Sequence, residues 1–369
     1  MDYEIDFIGV NKDKASEDAD AIAFRYRDSD NKFKVFVYDG GLDAHGEALV
    51  KLLNDYYFCN GEEKVIEAVI VSHSHEDHTV GLKRILKEFR VNALYMNRPW
   101  LYIDELFKRV NDGRITKNSL EDRLKKSYHH ISDLEELANE YNISIHEAFA
   151  NENITDKLKI LSPNKSFYID LLTESRKTPA SSQESNFTLD AFNAINEDAS
   201  YANESWEHEM LREDVTTSAE NEMSVVLFGN MNGENFLLVG DAGIKALTQA
   251  CDCYKAIYNR ELRDDVKYYQ IPHHGGRHNV SPSVLDRLIG EKISKGSLAD
   301  KVAYVSVARD SSHPKKMVVN AYIRRGVQVY KTNGSILSDQ HGNMSNRAGW
   351  GKAQRESFSM KVEAWDKND

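Results

Sequence analysis

Six consecutive residues, His73-Ser74-His75-Glu76-Asp77-His78, constrain this chain more than any other segment. They follow Val65 to Val71, an apolar run that reads as a short buried strand. Along an extended loop, alternation aims His73 and His75 one way, while Asp77 and His78 can turn toward a neighbouring site. Imidazole and carboxylate are ligands that divalent ions such as Zn²⁺ or Mn²⁺ accept. Such a concentration of ligand types directly after a strand outweighs the reading of a surface loop that happens to hold three histidines.

The cluster alone cannot close two coordination spheres, and two further polar groups stand where strands end. Asp241 follows Phe236-Leu237-Leu238-Val239-Gly240, which presents its carboxylate at a strand tip, where it can bridge two ions. His273 follows Tyr269-Gln270-Ile271-Pro272 in the same way. Either alone is weak, since Gly-Asp is a common turn; in this order with the cluster they make a specific set.

The rest of the chain reads as alternating strands and helices, hence α/β. Residues 21–26 and 33–38 form a hairpin, and 45–57 and 82–89 are amphipathic helices. A second hairpin spans 224–239, a helix 244–258, and strands 268–271, 301–307 and 326–330. Between 99 and 215 the texture is polar, with helical patches, and 176–203 is low in large aliphatics and reads as a loop. The expected organisation is a core of 1–98 and 216–345, a mainly helical insertion at 99–215, and a tail or final helix or strand at 346–369.

Composition bounds the partners. The formal net charge is −12, which argues against nonspecific coating of nucleic acid. The basic stretch 106–130 (Lys108, Arg109, Arg114, Lys117, Arg123, Lys125 and Lys126 against Asp112, Glu121 and Asp122) reads as a solvated helical face. His129 and His130 within it read as surface, and His278 and His341 carry no supporting pattern. Cys59, Cys251 and Cys253 are too few for a disulfide framework and read as packing residues. No stretch approaches the run of roughly 18 apolar residues that spans a bilayer, and the acidic start does not resemble a signal peptide, so no membrane association and a cytoplasmic location are expected.

The ordered set resembles the metallo-β-lactamase superfamily, and within it the hydrolase domain of the ComEC family of DNA-uptake proteins and its stand-alone relatives. The likeness rests on Asp20-Ala21-Ile22, Asp39-Gly40-Gly41, the 73–78 cluster, Asn221-x-x-Ser224, Gly240-Asp241-Ala242, His273-His274-Gly275, His313-Pro314 and Gly326 to Thr332. It covers residues 20 to about 338 apart from the 99–215 segment. It implies an αββα sandwich with the site at one edge and two divalent ions, Zn²⁺ or Mn²⁺. The metal ligands would be His73, His75, Asp77, His78, Asp241 and His273. Three departures stand out: no membrane channel precedes the domain, so DNA import is not implied; 99–215 has no counterpart and can cover the site as a lid; and the later histidine of the superfamily is absent. Asn221, with Ser224 near it, fills that place ahead of His208.

The implied activity is phosphodiester hydrolysis by a metal-bound hydroxide, with nucleic acid or a nucleotide as substrate. Asp77 would orient the hydroxide, and His274 or His313 would donate a proton or hold the phosphate. Hydrolysis of another ester, a thioester or a lactone is the alternative, because fold alone does not set the substrate. A different class also stands: a metal-stabilised binding or sensing module that meets a partner protein through 99–215.

Overall fold

Two sheets stack face to face in the computed structural model, which describes residues 2–11, 13, 17–59, 61, 63–109, 116–178, 201–231, 234–344 and 347–365. The first sheet takes β1 (Tyr3–Phe7), β2 (Ala21–Arg27), β3 (Phe33–Gly40), β4 (Ala68–Ile70), β5 (Ala93–Tyr95) and β6 (Ser144–His146). The second takes β7 (Leu158–Ser162), β8 (Val226–Met231), β9 (Glu234–Leu238), β10 (Val266–Gln270), β11 (Val302–Val305) and β12 (Gln328–Lys331). The chain then returns to the first sheet as β13 (Leu337–His341). Strand order is β13-β1-β2-β3-β4-β5-β6 in the first and β12-β11-β10-β9-β8-β7 in the second. Strands β3 to β6 are parallel, as are β9 to β12.

Period-two alternation sorts the layers. On β2, Ile22, Phe24 and Tyr26 join Tyr3, Phe36, Phe236 and Tyr268 in the seam between the sheets. Ala21 and Ala23 face the opposite way, toward a core shared with helices α1 (Asp43–Leu52) and α3 (Leu82–Glu88), which flank the short α2 (Glu76–Thr79). Helices α4 (Lys117–Ser127), α5 (His129–Glu140) and α6 (Lys165–Glu174) bury Leu120, Leu124, Leu134 and Leu171 in the same core. Past the short α7 (Ala219–Glu222), helices α8 (Ile244–Tyr258), α9 (Pro282–Leu288) and α10 (Lys316–Arg324) cover the outer face of the second sheet. The architecture is thus the expected αββα sandwich. Helix α8 stops at Asn259, whose left-handed φ of 52° closes it as a C-cap.

The range 99–215 holds α4, α5 and α6, and also three strands that the sequence reading did not foresee, β6, β7 and Tyr201–Asn203. Strand β6 adds an edge to the first sheet beside β5, and β7 adds one to the second beside β8. In the basic stretch, Arg109 pairs with Asp170, Lys117 with Asp104 and Lys125 with Glu121 on exposed surface. Asp112 and Arg114 lie outside the described residues, as do residues 179–200 of the expected 176–203 loop. Within 346–369, Lys361–Glu363 pairs antiparallel with Tyr201–Asn203. The adjoining Glu204 meets Arg324 at 3.0 Å in a fully buried ion pair. Cys59, Cys251 and Cys253 are free thiols. Among the described residues no helix is long and apolar enough to cross a membrane.

Candidate metal centre

The parallel strands of both sheets end at one edge, the position where open α/β sheets hold ligands. There β3 delivers Asp39, β4 leads into His73–His78, β9 delivers Asp241, and β10 delivers His273 and His274. Strand β2 runs antiparallel to β3, with Ala21 opposite Gly40, so Asp20 reaches the same edge from the start of its strand. Gly240 must be a glycine: its φ is +51°, and a Cβ there would sit 2.6 Å from Cβ of Ser72. That close approach brings Asp241 down onto the histidine loop.

Two groups of ligand atoms result, sharing Asp241. His73, His75 and Asp241 form one; Asp20, His78, Asp241 and His274 form the other, with the ligand atoms of each group within 4.8 Å of one another. The Asp241 carboxylate divides between them, Oδ2 standing 3.6 Å from His73 Nε2 and Oδ1 3.2 Å from His78 Nε2. Asp77 Oδ2 lies 3.5 Å from His78 Nε2 and 3.2 Å from His274 Nε2.

Four histidines have Nδ1 tied and Nε2 turned inward. His73 Nδ1 is 3.0 Å from Ser72 Oγ, and His78 Nδ1 is 2.8 Å from Asp39 Oδ2. His274 Nδ1 donates to the Ser306 carbonyl at 2.9 Å, and His273 Nδ1 donates to Asn279 Oδ1 at 2.7 Å. This is the arrangement by which outer partners fix the tautomer of a metal-binding histidine. The residues fit a pair of divalent ions by a second criterion. Both Asp20 oxygens, Asp241 Oδ1, His73 Nε2 and His78 Nε2 are buried without a hydrogen-bond partner among the described residues, a costly condition that cations would relieve.

Residues 30–120 match the metallo-beta-lactamase superfamily. The αββα sandwich is the metallo-β-lactamase fold. Among solved structures, the chain is similar to a protein of Thermotoga maritima assigned as a metallo-beta-lactamase, at 12% identity over 65% of this chain and 79% of that one, with a TM-score of 0.32. It is also similar to a beta-lactamase domain protein from Burkholderia ambifaria, at 10% identity over 64% and 54%, TM-score 0.29. A long-form RNase Z from yeast aligns at 11% identity over 83% of this chain and 37% of that one, TM-score 0.35. These likenesses are loose and assign no role to any residue here. No curated protein matches the sequence.

Charge divides the two groups of the strand-end edge. Burial, with His78 and His75 adding repulsion, holds His73 well below the ordinary histidine range. Burial and then Lys177 bring His75 down to about 4. In the other group burial also disfavours charge, but carboxylates overcome it. Asp241, Asp77 and Asp39 hold His78 well above its usual value, and Asp77, Asp20 and Asp241 lift His274 to about 10. Asp77 and Asp241 are held well below the carboxylate range despite burial, Asp77 mainly by His78 and His274 and Asp241 by His273 and His78. Burial raises Asp20 to about 6, with His274 and His78 opposing.

The expected ligands His73, His75, Asp77, His78 and Asp241 are therefore brought together, and the 273–274 pair divides differently from the sequence reading. His274, expected to act on substrate, is the buried member of the second group. His273, expected as a ligand, is 39% exposed, with Nε2 3.7 Å from Asp241 Oδ2. Asn221 stands beside it, Nδ2 to Nδ1 at 3.4 Å. Ser224 Oγ lies 3.4 Å from His73 Nδ1 and accepts from the Asp241 amide at 3.2 Å, so it braces two ligands. His208 is exposed, and its carbonyl accepts from Arg324 away from the cluster. His313 sits on the rim, bonded to Asp18.

The sequence reading counted Asp20 and Asp39 among the residues of the likeness without giving either a role in the site, and it passed over Lys177. Asp39 carries the same signal that revealed Asp241, an acidic residue at the end of an apolar strand, and Asp20 stands just before the start of one. Lys177 lies over the Tyr128 ring at 5.9 Å, and its charge acts on His75 and Asp77. It has no ion pair or hydrogen bond from its ammonium among the described residues, and no local motif marks it.

Proposed function

We propose that this chain is a two-metal-dependent hydrolase of phosphodiesters, with nucleic acid or a nucleotide as substrate. The observation that carries the reading is the pair of ligand groups sharing Asp241, with imidazole Nε2 atoms turned inward from fixed tautomers. Ions bound there would lower the pKa of a coordinated water toward neutrality and neutralise charge on a phosphate oxygen. Asp77, which faces both His78 and His274, orients the attacking water. Lys177, a partly buried ammonium beside His75, favours an anionic ester over a neutral one. The His273-His274-Gly275 and His313-Pro314 elements, shared with ComEC-like domains, support the same preference.

The test is activity of the purified protein with Mn²⁺ and with Zn²⁺ against single-stranded DNA, double-stranded DNA, RNA, cyclic nucleotides and a neutral carboxylic ester. Metal-dependent cleavage of a phosphodiester is the expected result. Turnover of the neutral ester alone would move the protein to another branch of hydrolytic chemistry, and metal binding without turnover of any ester would make the centre structural.

A further inference from the structure

Lys177 and His130 carry polar atoms that the metal centre does not use. Lys177 stands on a turn closed by Ser175: its amide donates to Ser175 Oγ at 3.1 Å, and the Thr178 amide donates to the Ser175 carbonyl at 3.2 Å. Burial disfavours the charge of its ammonium, opposed by Glu220 and then Asp77. Both carboxylates are engaged elsewhere, Glu220 with Ser175 Oγ and Asp77 with His78 and His274. Among the described residues the ammonium forms an ion pair with neither. A partly buried cation therefore acts on His75 and Asp77 through its field, from beyond contact with them.

His130 lies in the first turn of α5, two residues past the Tyr128 ring that Lys177 covers, where α5 packs on α2 and α3. Its Nδ1 is buried without a hydrogen-bond partner among the described residues. A proton on Nδ1 would have no acceptor, so the neutral ring keeps it on Nε2, the nitrogen left open to solvent. Burial, then His129, Lys83 and Lys177, bring the ring down to about 4. It thus offers a directed N–H and no charge, while Lys177 offers charge. Lys83 is already paired with Asp133.

We infer that Lys177 and His130 form a second phosphate subsite beside the metal centre, which, resting on the phosphodiesterase reading, directs the site to oligonucleotides rather than cyclic nucleotides. An ammonium and an imidazole N–H, both lacking an acceptor, suit an anion with several acceptor oxygens. Lys177 stands beyond contact with the ligand groups, so the anion it holds is not the ester at the ions. A cyclic mononucleotide has no second phosphate to give. A strand has one at the neighbouring linkage, and a dinucleotide with a phosphorylated end has one at its terminus. Contacts of this kind position a chain and read no base. Both residues come from the 99–215 range, not from the strand-end loops that supply the ligands.

The experiment measures kcat/KM of the full chain with saturating Mn²⁺ on a thymidine dinucleotide, on the trinucleotide, and on the dinucleotide phosphorylated at its 5′ or its 3′ end. The wild-type protein should prefer the trinucleotide to the plain dinucleotide by roughly 10–100-fold, the range of a hydrogen bond to a charged group. A matching preference for one phosphorylated end would assign the subsite to a terminal phosphate, and its absence to an internal one. Lys177→Gln should remove most of the preference with metal content unchanged, Lys177→Arg should retain it, and His130→Gln should remove a smaller part. Raised ionic strength should shrink it as well. Equal turnover of all these substrates, equal loss on all of them in Lys177→Gln, or turnover of cyclic nucleotides alone overturns the subsite and leaves the phosphodiesterase reading standing. A wild-type protein inert on every phosphodiester overturns both. Should Lys177→Gln fail to fold, the partly exposed His130→Gln decides alone.

Discussion

His273 and His274 are neighbours in the chain, yet one ring is half exposed and the other is enclosed by Asp20, Asp77 and Asp241. A His-His doublet gives no sign of which ring turns inward; the answer comes from Ser306 at the end of β11, more than thirty residues away. Removing His274 should therefore cost more bound metal than removing His273. Equilibrium dialysis of His274→Ala is expected to show one ion missing, and of His273→Ala a weakened but filled pair; the opposite order would exchange their roles. The charge states give a second outcome. His73 and His75 are held neutral at pH 7, whereas His78 and His274 are held protonated. A histidine must be neutral to bind a metal, so filling the second group releases about two protons and filling the first releases none. Titration calorimetry in buffers of different ionisation enthalpy would detect this, and proton release from neither group would refute the assigned protonation.

Between α5 and α7, a set of hydrogen bonds ties elements that the sequence leaves far apart. Tyr128 Oη bonds Ser175 Oγ at 2.8 Å and Thr178 Oγ1 at 3.3 Å, and Ser175 Oγ also donates to Glu220 Oε1 on α7. This pins the turn that follows α6 and carries Lys177 over the ligand groups. Tyr128→Phe removes the hydroxyl and keeps the ring, so the stability loss should be about 1 kcal/mol. The KM for an anionic ester should rise while metal content holds, measured by steady-state kinetics beside metal analysis. An unchanged KM would mean the turn does not position Lys177 for substrate. At this scale the long elements were legible and the short ones were not. Helix α8, with Ala246, Leu247, Ala250 and Tyr254 on one face, announces itself by helical spacing. Strand β6 is three residues, Ser144-Ile145-His146, too short to show a period of two. Strand β7, Leu158-Lys159-Ile160-Leu161-Ser162, lies inside a polar range that reads as insertion. Only pairing with β5 and β8 makes strands of them, which is tertiary context overriding a weak local signal.

Across the whole molecule, the two sheets meet through an aromatic seam of Tyr3, Phe24, Phe36, Phe236 and Tyr268, and at one edge through the ligand groups. His73, His75, His78 and Asp20 belong to the first sheet, while Asp241 and His274 belong to the second. An ion in either group therefore bridges segments separated by more than 140 residues of chain. Without cations, the carboxylates of Asp20, Asp39, Asp77 and Asp241 are balanced mainly by protonated histidines, with Lys177 adding its charge at Asp77. Ligands that bind the folded chain and not the unfolded one stabilise it by mass action, about 2.7 kcal/mol at a free concentration of one hundred times Kd. For a chain of this length that is a rise in Tm of a few degrees. Scanning calorimetry with Mn²⁺ or Zn²⁺ in excess, and again with EDTA, should show the higher transition only with metal. Asp241→Asn removes charge from the residue that both groups share, so it should abolish most of that rise while leaving the EDTA-treated transition close to wild type. Equal transitions with and without metal in the wild-type protein would mean that the strand-end edge holds no ion, and the two-metal reading would fall with it.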